Sequence, residues 1–430
     1  MIYIVAIAII LVCIIAQTLI VRRKGILGLI NNPFSLSLIF YELIHLIMPL
    51  LQWHYNYFRY SANYSEATYT LSIVLVFFLF LIYSFLFFYK YDFFTTSQSN
   101  LFLSSNNAKR FLIFSWVIFL IGCYFSFKNI LAIQSIGVDD YLKDRIGFSA
   151  GAGYKVLFSH WVYVANILFF IGLMLRNKSK YFIFSFLFSL IYCFIYYGMN
   201  SNRNSLFVLF FTLLIVYVSF SSIKKIKVIN ILNKTFYGCI FLLAFYLIGA
   251  FRNKTVNSSI ESEYSLINSL NGAFGNHENI VWLLSNKYEL LFGNTYIASF
   301  LNLIPRSLWA DKPYGAGPEL KNMIYPGSYI LGQEGNSSLT TGLFTEAVMN
   351  FGILGSFPAV FCISCIVFIF LVFLKKLENP IGKILYIYLF TLLSTQFLYA
   401  EFLGFYTRTL FTCIPIILLA FFVKFERKYN

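Results

Sequence analysis

Residues 2–20 read IYIVAIAIILVCIIAQTLI, and Arg22-Arg23-Lys24 follows at once. A helix of about 20 apolar residues crosses a bilayer core of about 30 Å with every backbone hydrogen bond closed inside it. The run is longer than the apolar core of a secretion signal and has no small-residue cleavage site, so it is expected to remain as a span. The basic cluster at its end marks a cytoplasmic side.

The pattern recurs along the chain. Eleven stretches qualify as spans: Ile2–Ile20, Phe34–Leu51, Tyr69–Tyr89, Phe111–Phe127, Val156–Leu175, Tyr181–Tyr197, Leu206–Phe220, Phe236–Phe251, Phe357–Leu374, Ile384–Tyr399 and Tyr406–Val423. Alternating sides from Arg22 puts the N-terminus outside and the C-terminus inside. The clusters at Lys109-Arg110, Lys224-Lys225, Lys375-Lys376 and Lys424 to Lys428 then share the cytoplasmic side. The expected fold is an all-α polytopic membrane protein of about eleven transmembrane helices. Residues 1–251 carry helices one to eight, 252–343 form one large helical extracytoplasmic loop, and 344–430 carry an interfacial segment and helices nine to eleven.

Composition agrees. At 59% hydrophobic and 21% aromatic residues, with a mean hydropathy of +0.75, the chain is too apolar for a water-exposed surface but suited to lipid. The net charge of +15 is a positive-inside signature and not a polyanion groove, so no nucleic-acid partner is expected. All seven cysteines lie in apolar stretches, and none braces the large loop. Cys362-x-x-Cys365 has redox-motif spacing but sits inside a span without further ligands nearby.

The large loop is expected to be ordered. Ile260, Tyr264, Ile267 and Leu270 recur at helical spacing, as do Ile280, Leu284, Tyr288 and Leu291. A further helical run from Ile297 to Ile304 ends at Pro305. Such short amphipathic helices either lie on the membrane surface or pack over the bundle.

The chemistry-bearing residues gather on the outer side. Arg59, Arg145, Arg203, Arg252, Arg306 and Arg408 run against the positive-inside bias. Guanidinium forks bind phosphate oxygens bidentately, which suits lipid-linked diphosphates; the alternative is contact with ordinary headgroups. His277-Glu278 and Glu346 are candidates for proton transfer, against a purely local capping role. Asp311-Lys312-Pro313 reads either as a turn ion pair or as a source of one more cation. Glu42 and His45, three apart inside the second span, form either a proton relay or interhelical hydrogen bonds. Asp139, Asp140 and Asp144 fit no cation-site spacing and read as a solvated helix start. There is no GxxxxGK[ST], no zinc-like cluster and no Asp-x-Asp, so neither a metal nor a cofactor is expected.

With these residues in view, the chain resembles the bacterial O-antigen and capsular repeat-unit polymerases, the Wzy-type proteins. The likeness covers the whole length in topology. In sequence it rests on the Asn-Arg turn at Arg203, Phe251-Arg252, Gly293-Asn294-Thr295-Tyr296, Ile304-Pro305-Arg306 with Asp311-Lys312-Pro313, and Glu346-Ala347-Val348-Met349-Asn350-Phe351-Gly352. The resemblance implies a GT-C-like membrane glycosyltransferase in the bacterial inner membrane, its active site facing the periplasm. It implies transfer of a growing glycan from undecaprenyl diphosphate to an incoming lipid-linked repeat unit, with membrane lipids and a chain-length regulator protein as partners. Arg252 and Arg306 would hold the diphosphate, Arg203, Arg408 and Lys312 would support it, and Arg145 would hold the second lipid's diphosphate. Glu346 is the preferred base and His277 the second. Two alternatives stay open: an O-antigen ligase, and a flippase in which Glu42 and His45 couple to protons.

Overall fold

The computed structural model describes residues 1–25, 29, 33–60, 63–89, 101–137, 153–175, 179–200, 203–220, 270–272, 274–304, 308–309, 311–330, 338–376, 380–423 and 426–427. Their regular structure is helical, apart from a two-residue antiparallel pairing of β1 (Leu101–Phe102) with β2 (Glu426–Arg427). Among the described residues eight helices are long and apolar enough to cross a membrane, and two shorter apolar helices accompany them.

The helices fall into two compact units. The first holds α1 (Ile2–Lys24), α2 (Pro33–Glu42), a π-turn (Leu43–Ile47), α3 (Met48–His54) and α4 (Glu66–Tyr89). The second holds α5 (Ser105–Ile136), α6 (Gly153–Ser159), α7 (Trp161–Leu175), α8 (Lys180–Met199) and α9 (Arg203–Phe220). The chain then returns to the first unit with α10 (His277–Ser285), α11 (Asn294–Leu301), α12 (Ala316–Ile324) and α13 (Leu343–Lys376). Helices α14 (Pro380–Thr395) and α15 (Phe402–Phe422) each pass from one unit to the other, with residues 388–410 belonging to the first.

Eleven spans are expected from the apolar runs, and the described residues account for ten of those runs as helices. The run at Leu206–Phe220 and that at Ile384–Tyr399 are the two shorter ones. The second stops at Thr395 because the chain turns through Gln396–Ala400, where the Phe397 carbonyl accepts the Leu343 N–H (3.2 Å). The run Phe236–Phe251 lies outside the described residues.

In the second unit, α5, α7 and α8 pack closely. Gly122 of α5 lies so near α7 that a Cβ there would stand 2.6 Å from the Val162 nitrogen. Trp116 packs on Phe119, Phe169 and Phe188 and donates its indole N–H to Ser185 Oγ (3.0 Å). Small residues admit close approach, and side-chain hydrogen bonds join the apolar helices where lipid offers no partner.

The first unit is built around α4 against α13. Tyr41 stacks on Phe80 at 4.3 Å, and Tyr83 packs on Phe344 and Phe397. Helix α13 is two limbs in one element: Gly352, at φ 69°, breaks it after Phe351. That left-handed conformation suits glycine because a Cβ would crowd the carbonyl. The break falls in the segment that the sequence marks as interfacial, ahead of the run Phe357–Leu374.

Candidate functional site

One end of the first unit concentrates the polar groups. Tyr3 of α1 and His54 of α3 hydrogen bond there (3.3 Å), and α4, the first limb of α13 and α15 begin there. The loop residues fold down onto this end. The helix expected from Ile280 to Leu291 stops at Ser285, where Asn286 donates to the Trp282 carbonyl (2.9 Å). Beyond it Leu291 and Phe292 donate their N–H groups to the Met349 and Asn350 carbonyls (3.2 and 2.9 Å). The run Ile260 to Ile267 lies outside the described residues.

Helix α10 does not lie over the bundle. Its opening residues His277, Glu278 and Asn279 are fully buried: His277 meets the helices, whereas Glu278 and Asn279 meet the connection between α3 and α4 and the approach to α13. The Glu278 carboxylate accepts from the backbone N–H groups of Arg59 (2.9 and 2.7 Å) and Tyr60 (3.0 Å), and from the Tyr64 hydroxyl (3.2 Å). Burial raises its pKa against the pull of those donors. Asn279 accepts from the Tyr60 hydroxyl (2.6 Å) and donates to the Thr340 carbonyl (2.8 Å).

The surroundings of His277 settle its tautomer. Ser72 Oγ donates its single proton to the Tyr69 carbonyl (2.6 Å), so it must accept from His277 Nε2–H (2.9 Å). His277 Nδ1 is then the acceptor for His45 Nδ1–H (3.1 Å), and the buried His45 Nε2 has no hydrogen-bond partner among the described residues. Burial pushes the His277 pKa down to about 3. Both nitrogens are engaged and the ring is sealed from solvent, so His277 holds α10 to the second and third spans. Glu42 turns elsewhere and accepts from Gln17 of α1 (2.8 Å). The two ionisable groups of the second span thus make separate interhelical hydrogen bonds.

Glu346, also fully buried, joins three elements. Its Oε1 accepts from Thr295 Oγ1 of α11 (2.7 Å), and its Oε2 accepts from the Phe402 N–H that opens α15 (2.6 Å). Asn350, one turn on, donates to Thr295 Oγ1 (2.8 Å) and to the Glu346 carbonyl (2.7 Å), and accepts from the Gly293 N–H (2.9 Å). Two sequence fragments, Gly293 to Tyr296 and Glu346 to Gly352, therefore form one network.

Beside it lies Glu401, which the sequence reading passed over. Its Oε2 accepts from the Gly317 N–H at the start of α12 (2.6 Å), and the carboxylate is close enough to Glu346 for the two charges to repel. Burial raises the Glu401 pKa, against the Gly317 hydrogen bond. The residue is only partly buried, so unlike Glu346 it stands at a surface. A single carboxylate before the last span fits no spacing template, and its position between two helix starts exists only in the fold.

The cations divide. Lys312 is buried and donates to the Ile304 carbonyl (2.7 Å), bridging the end of α11. Arg408 donates to Gln396 Oε1 (3.3 Å), which ties α15 to the turn after α14. Arg59, named in the sequence only as an outward arginine, has a buried Nη2 without a hydrogen-bond partner among the described residues. Arg203 opens α9 in the second unit. Arg145, Arg252 and Arg306 lie outside the described residues, as do Asp139, Asp140 and Asp144. Of the sequence-derived set, the structure thus brings Glu346, His277, Lys312 and Arg408 to one unit, with Glu346 and His277 in separate networks.

Compared with family models, with curated proteins and with solved structures, the chain matches none.

Proposed function

We propose that this chain is a membrane glycosyltransferase that polymerises oligosaccharide repeat units carried on undecaprenyl diphosphate. It would work at the periplasmic face of a bacterial inner membrane, with the N-terminus outside and the C-terminus inside. The observation that carries the reading is the network of Gly293, Thr295, Glu346 and Asn350, with Glu401 at its edge. It joins the segments on which the family resemblance rests and sets carboxylates beside the end of the membrane helices.

In the proposed reaction a hydroxyl oxygen of the incoming unit bonds to the anomeric carbon of the growing glycan. The bond from that carbon to the diphosphate oxygen breaks, and the diphosphate leaves with the electron pair. The hydroxyl proton passes to a carboxylate. Glu401, reachable and with its basicity raised by burial, suits the proton acceptor. Glu346, the base that the sequence favours, is fully buried and holds the surrounding elements through Thr295 and Phe402. Arg252 and Arg306 would stabilise the charge that grows on the leaving diphosphate, with Arg203, Arg408 and Lys312 in support, and Arg145 would hold the second lipid's diphosphate. No cofactor enters this scheme.

The test is purified protein in nanodiscs with a matching undecaprenyl-diphosphate repeat unit, in chelator and without nucleotide. A ladder spaced by one repeat is expected, weakened by Arg252→Lys and by Arg306→Lys. Transfer only to a lipid A-core acceptor would make it a ligase, and movement of intact substrate across the bilayer would make it a flippase; either result overturns the proposal.

A further inference from the structure

Helix α11 has its polarity reversed. A helix packed against a protein and facing water buries its apolar stripe and exposes polar residues. Past the exposed Asn294 at its start, Thr295, Ala298 and Ser299 are buried, whereas Ile297 is 51% and Phe300 55% exposed. The flanks continue the pattern: Phe292 is 76% and Leu308 80% exposed, and Trp309 is also exposed. Phe292 points outward from a left-handed conformation (φ 46°) that a bulky side chain adopts at a cost.

We propose that residues 292–304 and Leu308 are inserted in the acyl layer of the bilayer, with lipid chains as the occupant of their outer face. Three observations select lipid. The inward hydroxyl of Thr295 is satisfied by Glu346 and that of Ser299 by the Thr295 carbonyl (3.0 Å), so the helix is seated in its own fold by its polar side. Its ring face is continuous with α13: Tyr296 stacks on Phe351 at 6.2 Å, and Leu354 just beyond the Gly352 break is 84% exposed. Farther along α13 the outward residues stay apolar, as Ile366 and Phe373 do, which is the lipid-facing surface of a spanning helix. Trp309 then stands where amphipathic rings collect, at the headgroup level.

One helix, about 10–12 Å across, would thus separate acyl chains from the Glu346 carboxylate. If the proposed function holds, a lipid-linked substrate reaches the site sideways from the membrane, but the insertion itself does not depend on that function.

Nitroxide labels at Ile297→Cys and Leu308→Cys in nanodiscs provide the test, in a background with the native cysteines replaced and with Ala298→Cys as the packed control. Strong collision with oxygen and weak collision with a water-soluble nickel chelate is the expected result. Strong nickel collision would mean a water-facing helix, and weak collision with both would mean a protein cover; each overturns the proposal. Should the cysteine-free background fail to fold, the unaltered protein still answers. Brominated phospholipids should quench the emission that disappears in Trp309→Phe, and its escape from quenching would equally overturn the proposal. Loss of polymer synthesis with quenching intact would count against the function and leave the insertion standing.

Discussion

His277 shows how burial turns a titratable residue into a structural one. Its imidazole, pushed down to about 3 from an ordinary value of 6.5, resists the proton that the unfolded chain accepts. Between those values the unfolded state binds more protons, so this contribution to stability is present above about pH 6.5 and is lost as the pH falls toward 3. Glu278 and Glu401 have raised pKa values and act in the opposite sense, losing stability as the pH rises through them, so they cannot cause acid lability. His277→Gln keeps a donor for Ser72 and an acceptor for His45. It should flatten the fall of unfolding free energy between pH 6.5 and 4.5, by about 1.4 kcal/mol per pH unit at most, read as a shallower decline of Tm. Equal acid slopes for the two proteins would show that another group is responsible. For Glu401 the readout is activity: a base must be deprotonated, so kcat/KM should fall as pH drops through its raised pKa. Glu401→Gln should abolish the polymer ladder while leaving Tm within a few degrees. A fully active Glu401→Gln enzyme would remove the carboxylate from the mechanism.

Among the elements, α11 and the first limb of α13 depend on each other. Asn350→Ala gives up hydrogen bonds to Gly293, Thr295 and the Glu346 carbonyl. With buried partners left unpaired the loss should be about 2–4 kcal/mol, read as a lower Tm in detergent. Gly352→Ala is a different kind of damage. Space is not the difficulty, since Leu290 lies at ordinary contact distance, but a positive φ with ψ −175° is a glycine conformation that costs an L-residue about 1–3 kcal/mol. The substituted helix should straighten and pull Glu346 from the Phe402 N–H, lowering activity more than stability. Unchanged activity in Gly352→Ala would show that the break is not needed to seat Glu346.

Across the whole molecule the proposed orientation is measurable with cysteines at exposed positions. Lys287→Cys, just past α10, should react with a membrane-impermeant maleimide in intact cells, and Lys376→Cys at the end of α13 should react only after permeabilisation. The opposite pattern would reverse the orientation and with it the compartment assigned to the carboxylates. The helical membrane architecture was legible in the chain because lipid demands long apolar runs, and runs such as Ile2–Ile20 and Tyr69–Tyr89 return as α1 and α4. Much of the site was not. Arg59 and Glu401 are isolated charges without a spacing motif, and His277 reads as an outer-loop base until α10 is seen to descend among α3, α4 and α13.

By itself the sequence determined what lipid and local geometry impose: the long apolar helices, and a helical run that ends ahead of Pro305. Each follows from hydropathy or from the φ preference of a single residue, which needs no distant partner. Only the tertiary structure decided that Thr295, Glu346, Asn350 and Phe402 form one network, that Glu42 and His45 go to different helices, and that α11 carries its polar side inward. Those depend on which segments meet, and a hydrogen bond between residues 51 apart in the chain leaves no period by which to find it.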